Sequence, residues 1–142
     1  MNILIVDDQP ERHEGFIKIL QGHQLTHAWT YSQAIDAMRD NTFDMICLDH
    51  DLGDLHFGQK CVQVESLNFK LSYTPDYYEA GMYQSGRTYY DGRDICTWIV
   101  DHCKNLPKKI LIHSWNLDGA CEMEARLQSL PGIEIVRKQF GR

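Results

Sequence analysis

Short apolar runs that end abruptly in polar residues punctuate this chain. Ile3-Leu4-Ile5-Val6 runs into Asp7-Asp8, Met45-Ile46-Cys47-Leu48 into Asp49-His50-Asp51, and Ile110-Leu111-Ile112 into His113-Ser114-Trp115-Asn116. Unbroken apolar runs of this length, bounded by polar residues, read as strands buried on both faces. The central strand extends from Phe43 to Leu48, and Leu25 to Trp29 and Ile133 to Val136 read as two more strands. The segments between them carry the helical period. Pro10 suits the first turn of a helix whose apolar side is Phe16, Ile17, Ile19 and Leu20, with Gly22 closing it. Thr30 or Ser32 caps a second helix, with Ala34, Ile35 and Met38 facing inward and Asn41 at its end. Ile95, Trp98, Ile99 and His102 mark one face of a third helix, which starts near Asp91-Gly92 and is stopped by Pro107. Ala120, Met123, Leu127 and Leu130 form the inner stripe of a fourth, capped by Asn116 or Asp118 and ended by Pro131-Gly132.

This alternation predicts an α/β fold: a doubly wound, five-stranded parallel sheet of flavodoxin-like order 2-1-3-4-5. Residues 1–142 read as a single domain, and residues 54–90 as an insertion after the third strand. Within the insertion, Val62, Val64, Leu67, Phe69, Leu71 and Tyr73 alternate at period two, which predicts a hairpin with its turn near Glu65-Ser66. Tyr77, Tyr78, Tyr83, Tyr89 and Tyr90 follow, with Arg87 among them. They suit either stacking on a base or a small core of the insertion's own. A connection this long is usually functional, and a lid over the site is the expectation.

Composition narrows the classes. A formal net charge of -6 speaks against a duplex-DNA binder, which needs a basic stripe, but leaves room for a small phosphorylated ligand. The five cysteines show no CxxC or zinc spacing and read as small apolar residues in a reducing compartment. Met1-Asn2-Ile3 opens straight into a strand with no signal-peptide pattern, and no apolar run approaches a membrane span. The expected location is the cytoplasm.

The proposed sheet order sets the ends of strands one, three and four side by side. Asp7, Asp8, Asp49, His50, Asp51, His113 and Ser114 then share one crevice. Carboxylates gathered from separate strands need a cation, a shared proton or a basic partner. Asp7, Asp8 and Asp49 suit a divalent ion, Mg²⁺ first and Mn²⁺ second. Ser114, Asn116 and the helix start at Gly119 offer donors to a phosphate. His113 and His50 are both candidates for proton transfer, with Asp49 or Asp51 as the carboxylate His50 holds in place. His13, His23, His27, His56 and His102 read as surface or structural histidines.

These residues resemble two families. Asp7-Asp8, the strand-end Asp49, Ser114 and a late Lys138 before Phe140 look like the receiver domain of two-component signalling. That resemblance implies Mg²⁺ on Asp7 and Asp8, a phosphoryl group on Asp49, a hydroxyl at Ser114 and a lysine at Lys138. A last receiver helix is missing after the fifth strand. The chain is more similar to a divergent branch, the cyclic-phosphate processing receiver-like domain. Its pattern appears as Asp7-Asp8 with Arg12, Leu48 to Gly53 (LDHDLG), Gly92, and His113 to Gly119 (HSxNxxG). The similarity covers nearly everything except residues 54–90, and Asp91 stands where that family commonly has threonine.

The second resemblance implies processing of a cyclic phosphate, such as a nucleotide or RNA-end 2′,3′-cyclic phosphate. On that basis the chain reads as a metal-assisted cyclic phosphodiesterase, a phosphoric diester hydrolase. His113, His50, Asp49 and Asp51 are its catalytic candidates, Asp7, Asp8 and Asp49 its metal ligands. Ser114, Asn116, Gly119, Arg12, Arg87 and Lys138 are the substrate-binding candidates. The alternatives are a receiver phosphorylated on Asp49 and a nucleotide-phosphate binding module without turnover.

Overall fold

The apolar runs are continuous because the sheet they build is covered on both faces. The computed structural model describes residues 1–52 and 90–139 in full, and residues 62–64 as backbone. In chain order the elements are β1 (Asn2–Val6), α1 (Pro10–Ile19), β2 (Gln24–Ala28), α2 (Tyr31–Asp40), β3 (Met45–Leu48), β4 (Val62–Val64), α3 (Gly92–His102), β5 (Lys109–Ile112), α4 (Leu117–Leu127) and β6 (Glu134–Arg137). The sheet order is β4-β2-β1-β3-β5-β6. Without β4 this is the expected five-stranded parallel order, every pair in parallel register.

Side chains alternate across the sheet and build two cores. Leu4, Val6, Ile46, Leu48, Ile110 and Ile112 face a layer carrying Ala34 and Met38 of α2, Ile95 and Ile99 of α3, and Met123 and Leu127 of α4. Ile3, Ile5, Leu25, Met45, Cys47 and Leu111 face Phe16 and Ile17 of α1. Two expected inward positions fall outside: Ile19 is 63% exposed, and His102 lies on the surface. Each is the last residue of its helix, where the apolar stripe has run off the sheet.

The capping expectations hold at the starts. Pro10 opens α1, Thr30 Oγ1 accepts from Gln33 N at 3.2 Å, and Asn116 caps α4. At the C-terminal ends the helices stop earlier than their punctuation: α3 at His102 before Pro107, α4 at Leu127 before Pro131. β4 pairs antiparallel with the outer edge of β2, Val62 opposite His27 and Val64 opposite Leu25. The hairpin expected there shows this one strand. Its turn at Glu65-Ser66, its second strand, Arg87 and the tyrosines up to Tyr89 lie outside the described residues. Tyr90, where the insertion ends, stacks on Tyr31 of α2 with ring centroids 4.4 Å apart.

Candidate active site

The parallel hydrogen-bond ladder runs one residue past each strand and fixes the level of the polar tips. Asp7 N donates to Ala28 O (3.2 Å), Asp49 N to Val6 O (3.0 Å), His113 N to Leu48 O (2.9 Å) and Lys138 N to Ile112 O (2.9 Å). Each of these residues is the first beyond its strand, so four neighbouring strands deliver them to the same carboxyl edge. Open α/β sheets bind ligands there.

Three of the tips converge. Ligand atoms of Asp7, Asp49 and His113 lie within 4.8 Å of one another, and all three residues are buried. Asp8 is also buried and approaches the cluster through Arg12. Arg12, in the first turn of α1, reaches into the acidic group: its Nε is 2.8 Å from Asp7 Oδ2. Its terminal nitrogen is 3.3 Å from Asp49 Oδ2 and 3.6 Å from Asp8 Oδ1. Backbone amides complete the carboxylates, Gln9 N donating to Asp7 Oδ1 and His50 N to Asp49 Oδ1, each at 2.9 Å.

Burial pushes the Asp7 carboxyl up, the charge of Asp49 adds to it, and Arg12 opposes. Asp49 is raised too, by burial first, again against Arg12. The two titrate as a pair that one guanidinium only partly neutralises. His113 moves the other way: burial, and then the charge of Arg12, lower it to about 3. It is a neutral imidazole, and its Nδ1 lies 3.5 Å from Asp7 Oδ2.

His50 occupies a second cluster on the far side of the Asp49 backbone. Its Nδ1 is 2.8 Å from Asp51 Oδ1, and its Nε2 is 3.7 Å from Asp91 Oδ2. A carboxylate only accepts, so Nδ1–H donates to Asp51 and Nε2 is the ring nitrogen left for another partner. The two glycines of the motifs make room for this residue. A Cβ on Gly119 would run into the His50 ring, and one on Gly92 would meet Asp49 O, the His50 backbone and Met123. Gly92 N also donates to His50 O at 2.8 Å. Asn116 Oδ1 accepts from Gly119 N at 2.9 Å, and its side-chain amide lies beside the His50 ring. Ser114, buried, accepts from Asn116 N at 3.0 Å through Oγ.

The expected crevice is thus two adjoining clusters, joined through the backbone steps Asp49-His50 and His113-Ser114. Arg12 belongs to the acidic one. Lys138 takes its level on β6 with an exposed side chain, and Arg87 lies outside the described residues. Arg93 is engaged by Asp91 (2.9 Å) and Glu122 (3.1 Å).

Two features had no clear signal in the sequence. Asp91 faces His50 while its Oδ1 accepts from Arg93 N at the start of α3, in a reciprocal capping box with Asp94. A D-x-x-D spacing at a helix start was the available sign. The other is a buried pair, His13 Nδ1 to His27 Nδ1 at 2.6 Å, with His13 Nε2 2.8 Å from Asp7 O and its ring 3.9 Å from that of Trp29. It ties α1 and β2 to the Asp7 backbone, and no spacing in the chain announces it.

Strand order, helix placement and an acidic cluster at the carboxyl edge define a receiver-like α/β domain. The model of the cyclic-phosphate processing receiver domain family matches residues 2–129, and the chain belongs to that family. Two solved structures share the fold. One is a response regulator protein from Burkholderia pseudomallei, crystallised with a phosphorylated aspartic acid, a calcium ion and citrate: TM-score 0.59, 14% identity, 99% of this chain and 61% of that one. The other is NtrX from Brucella abortus, with TM-score 0.52, 18% identity, 98% of this chain and 24% of that one. The chain therefore spans less than two thirds of either. No curated protein matches it. No helix among the described residues is long and apolar enough to cross a membrane.

Proposed function

We propose that this domain opens a cyclic phosphate, of the 2′,3′-cyclic nucleotide or RNA-end class, by metal-assisted hydrolysis. The observation that carries this is the packing of His50. Two helix-start glycines, Gly92 and Gly119, leave space for its ring, and Asp51 fixes its tautomer. A phosphoryl-accepting aspartate has no need of such a proton-transfer group. Membership of the family supports the same conclusion.

The cluster of Asp7, Asp49 and His113 suits a divalent ion: two carboxyls that burial holds above the usual carboxylate range and that an ion would help to ionise, and a neutral imidazole. An imidazole ligand favours Mn²⁺ over Mg²⁺, which prefers oxygen throughout. Bound there, the ion would neutralise phosphoryl charge and lower the pKa of a coordinated water. The chain's own residues do the rest. Ser114 and Asn116 offer donors to the phosphate at the start of α4, where free N–H groups favour anions. In hydrolysis a P–O bond forms to water, the ring P–O bond breaks, water releases one proton to solvent and the freed sugar oxygen takes one. His50 Nε2 delivers that second proton, and Asp51 holds the ring while it does.

A second function draws on the position of Asp49. It stands at the tip of β3 beside Asp7 and Asp8, which suits acceptance of a phosphoryl group from a small donor. One experiment separates the two. The protein is incubated with 2′,3′-cyclic AMP and Mn²⁺ and, separately, with acetyl phosphate and Mg²⁺. Hydrolysis gives a nucleotide monoester and no lasting mass gain. Phosphorylation gives a mass gain that Asp49→Asn abolishes, with the cyclic nucleotide intact. Tight binding with the cyclic nucleotide recovered whole identifies a binding module instead.

A further inference from the structure

The cation inside the acidic cluster is a side chain. Arg12 lies 2.8 Å from Asp7 and 3.3 Å from Asp49, two of the three residues whose ligand atoms gather within 4.8 Å. A guanidinium and a divalent ion cannot both hold these same oxygens. Arg12 is also in an unfavourable place for a cation, the first turn of α1, where the helix dipole repels positive charge. The carboxylates explain why it is there: buried and unpaired they would cost far more than this repulsion. Arg12 does not escape by losing its proton, because guanidinium stays charged in proteins. Its side chain is 20% exposed, so the long stem has a path outward without unpacking the core.

We propose that Arg12 is the resident cation of the pocket, that a divalent ion enters only by displacing it, and that the displaced guanidinium then binds the phosphate at the pocket mouth. The ion pairs with Asp7 and Asp49 break, the metal takes the vacated carboxylate oxygens, and the positive charge moves to where an anionic ligand arrives. Metal and phosphate are thereby coupled: without metal, the groups that bind phosphate are turned inward. This rests on the metal-assisted function proposed above.

The test is Mn²⁺ affinity by calorimetry at fixed pH and salt, for the wild type, Arg12→Gln, Arg12→Lys and Asp7→Asn. A pocket filled by its own arginine nine-tenths of the time loses about tenfold in apparent affinity. Arg12→Gln is therefore expected to bind Mn²⁺ about tenfold tighter than wild type, and Asp7→Asn far more weakly. Equal or weaker binding by Arg12→Gln, with wild type still binding, overturns the displacement and leaves the metal site standing. No Mn²⁺ binding by any of them overturns both. If Arg12→Gln does not fold, Arg12→Lys, too short and unforked to bridge both carboxylates, carries the same expectation. The wild type supplies an independent readout: on Mg²⁺ titration the Arg12 Nε–H resonance is expected to move toward that of free arginine, and a static resonance contradicts release. With Mg²⁺ saturating, inorganic phosphate is expected to bind wild type about fivefold or more tighter than Arg12→Gln. Equal phosphate affinity overturns the second role of the side chain.

Discussion

His27 and His13 show how far one donor–acceptor assignment propagates. His13 Nε2 faces a carbonyl, Asp7 O, so Nε2 carries the hydrogen and Nδ1 accepts. His27 Nδ1 must then donate across the 2.6 Å contact, and its buried Nε2, which has no hydrogen-bond partner among the described residues, is left bare. Burial lowers His27 to about 4, and burial followed by the charge of His27 depresses His13. Above the unfolded value of 6.5 both states are neutral and stability is full. Between 6.5 and about 4 the unfolded chain takes up protons that the fold refuses, so stability falls with pH. From His27 alone the loss is about 3 kcal/mol on full traverse. Asp7 and Asp49, raised above 3.8, act in the opposite sense: their contribution is present at low pH and lost as pH rises. A difference measurement isolates the histidine. In urea denaturation, His27→Gln is expected to lose less stability between pH 7 and pH 4.5 than wild type does, and parallel profiles would refute the assignment. The acidic tips were legible in the sequence because a charge at the end of a buried run is conspicuous. The His13–His27 pair was not, because a buried histidine looks like any other until its partner is known.

At the level of elements, the two helix starts at Gly92 and Gly119 shape the room for His50. Alanine at 119 would overlap the imidazole, and alanine at 92 would press on backbone, which gives way less easily. Gly119→Ala is expected to cost about 1–3 kcal/mol, typical of overpacking, and to displace His50. Thermal melts report the first effect and the chemical shifts of the His50 ring the second. Asp91→Ala removes the N-cap of α3 together with the carboxylate 3.7 Å from His50. A loss of about 1 kcal/mol is expected from the cap, and Asp91→Ser, which caps but carries no charge, should recover most of it. Both variants should move the chemical shifts of the His50 ring, which lies 3.7 Å from the Asp91 carboxylate. Unmoved ring shifts in Asp91→Ser would remove Asp91 from the site. The helix starts were legible because capping residues are local signals. The helix ends ran short of Pro107 and Pro131 because a proline only forbids continuation and does not require it. The strand character of Val62–Val64 was legible as alternation. Its partner was not, since pairing with β2 is decided by which sheet edge is open.

Across the whole molecule, four strand tips at one level make the site a product of topology. Asp7, Asp49, His113 and Lys138 lie far apart in sequence and are delivered to one edge by the order β1-β3-β5-β6, where the first three converge. Sheet order was legible because five buried runs alternating with helices leave few right-handed solutions. The split into an acidic cluster and an imidazole cluster was not, because side-chain direction alternates residue by residue at the strand end. A site holding this much buried negative charge should link metal to stability. Mn²⁺ at a hundredfold excess over its Kd is expected to add about 2.7 kcal/mol to unfolding free energy. Asp7→Asn should lose that gain, and an unmoved wild-type melting temperature would speak against the ion.

In the proposed reaction His50 passes a proton to the oxygen freed when a cyclic phosphate opens. ³¹P NMR reads this on 2′,3′-cyclic AMP incubated with Mn²⁺ and either wild type or His50→Gln at matched concentration, the Mn²⁺ being chelated before the spectrum is taken. Conversion of the cyclic resonance to a monoester by wild type, slowed about a hundredfold or more in His50→Gln, is the expected result. A cyclic resonance that persists with folded wild type, or equal conversion by both proteins, contradicts it.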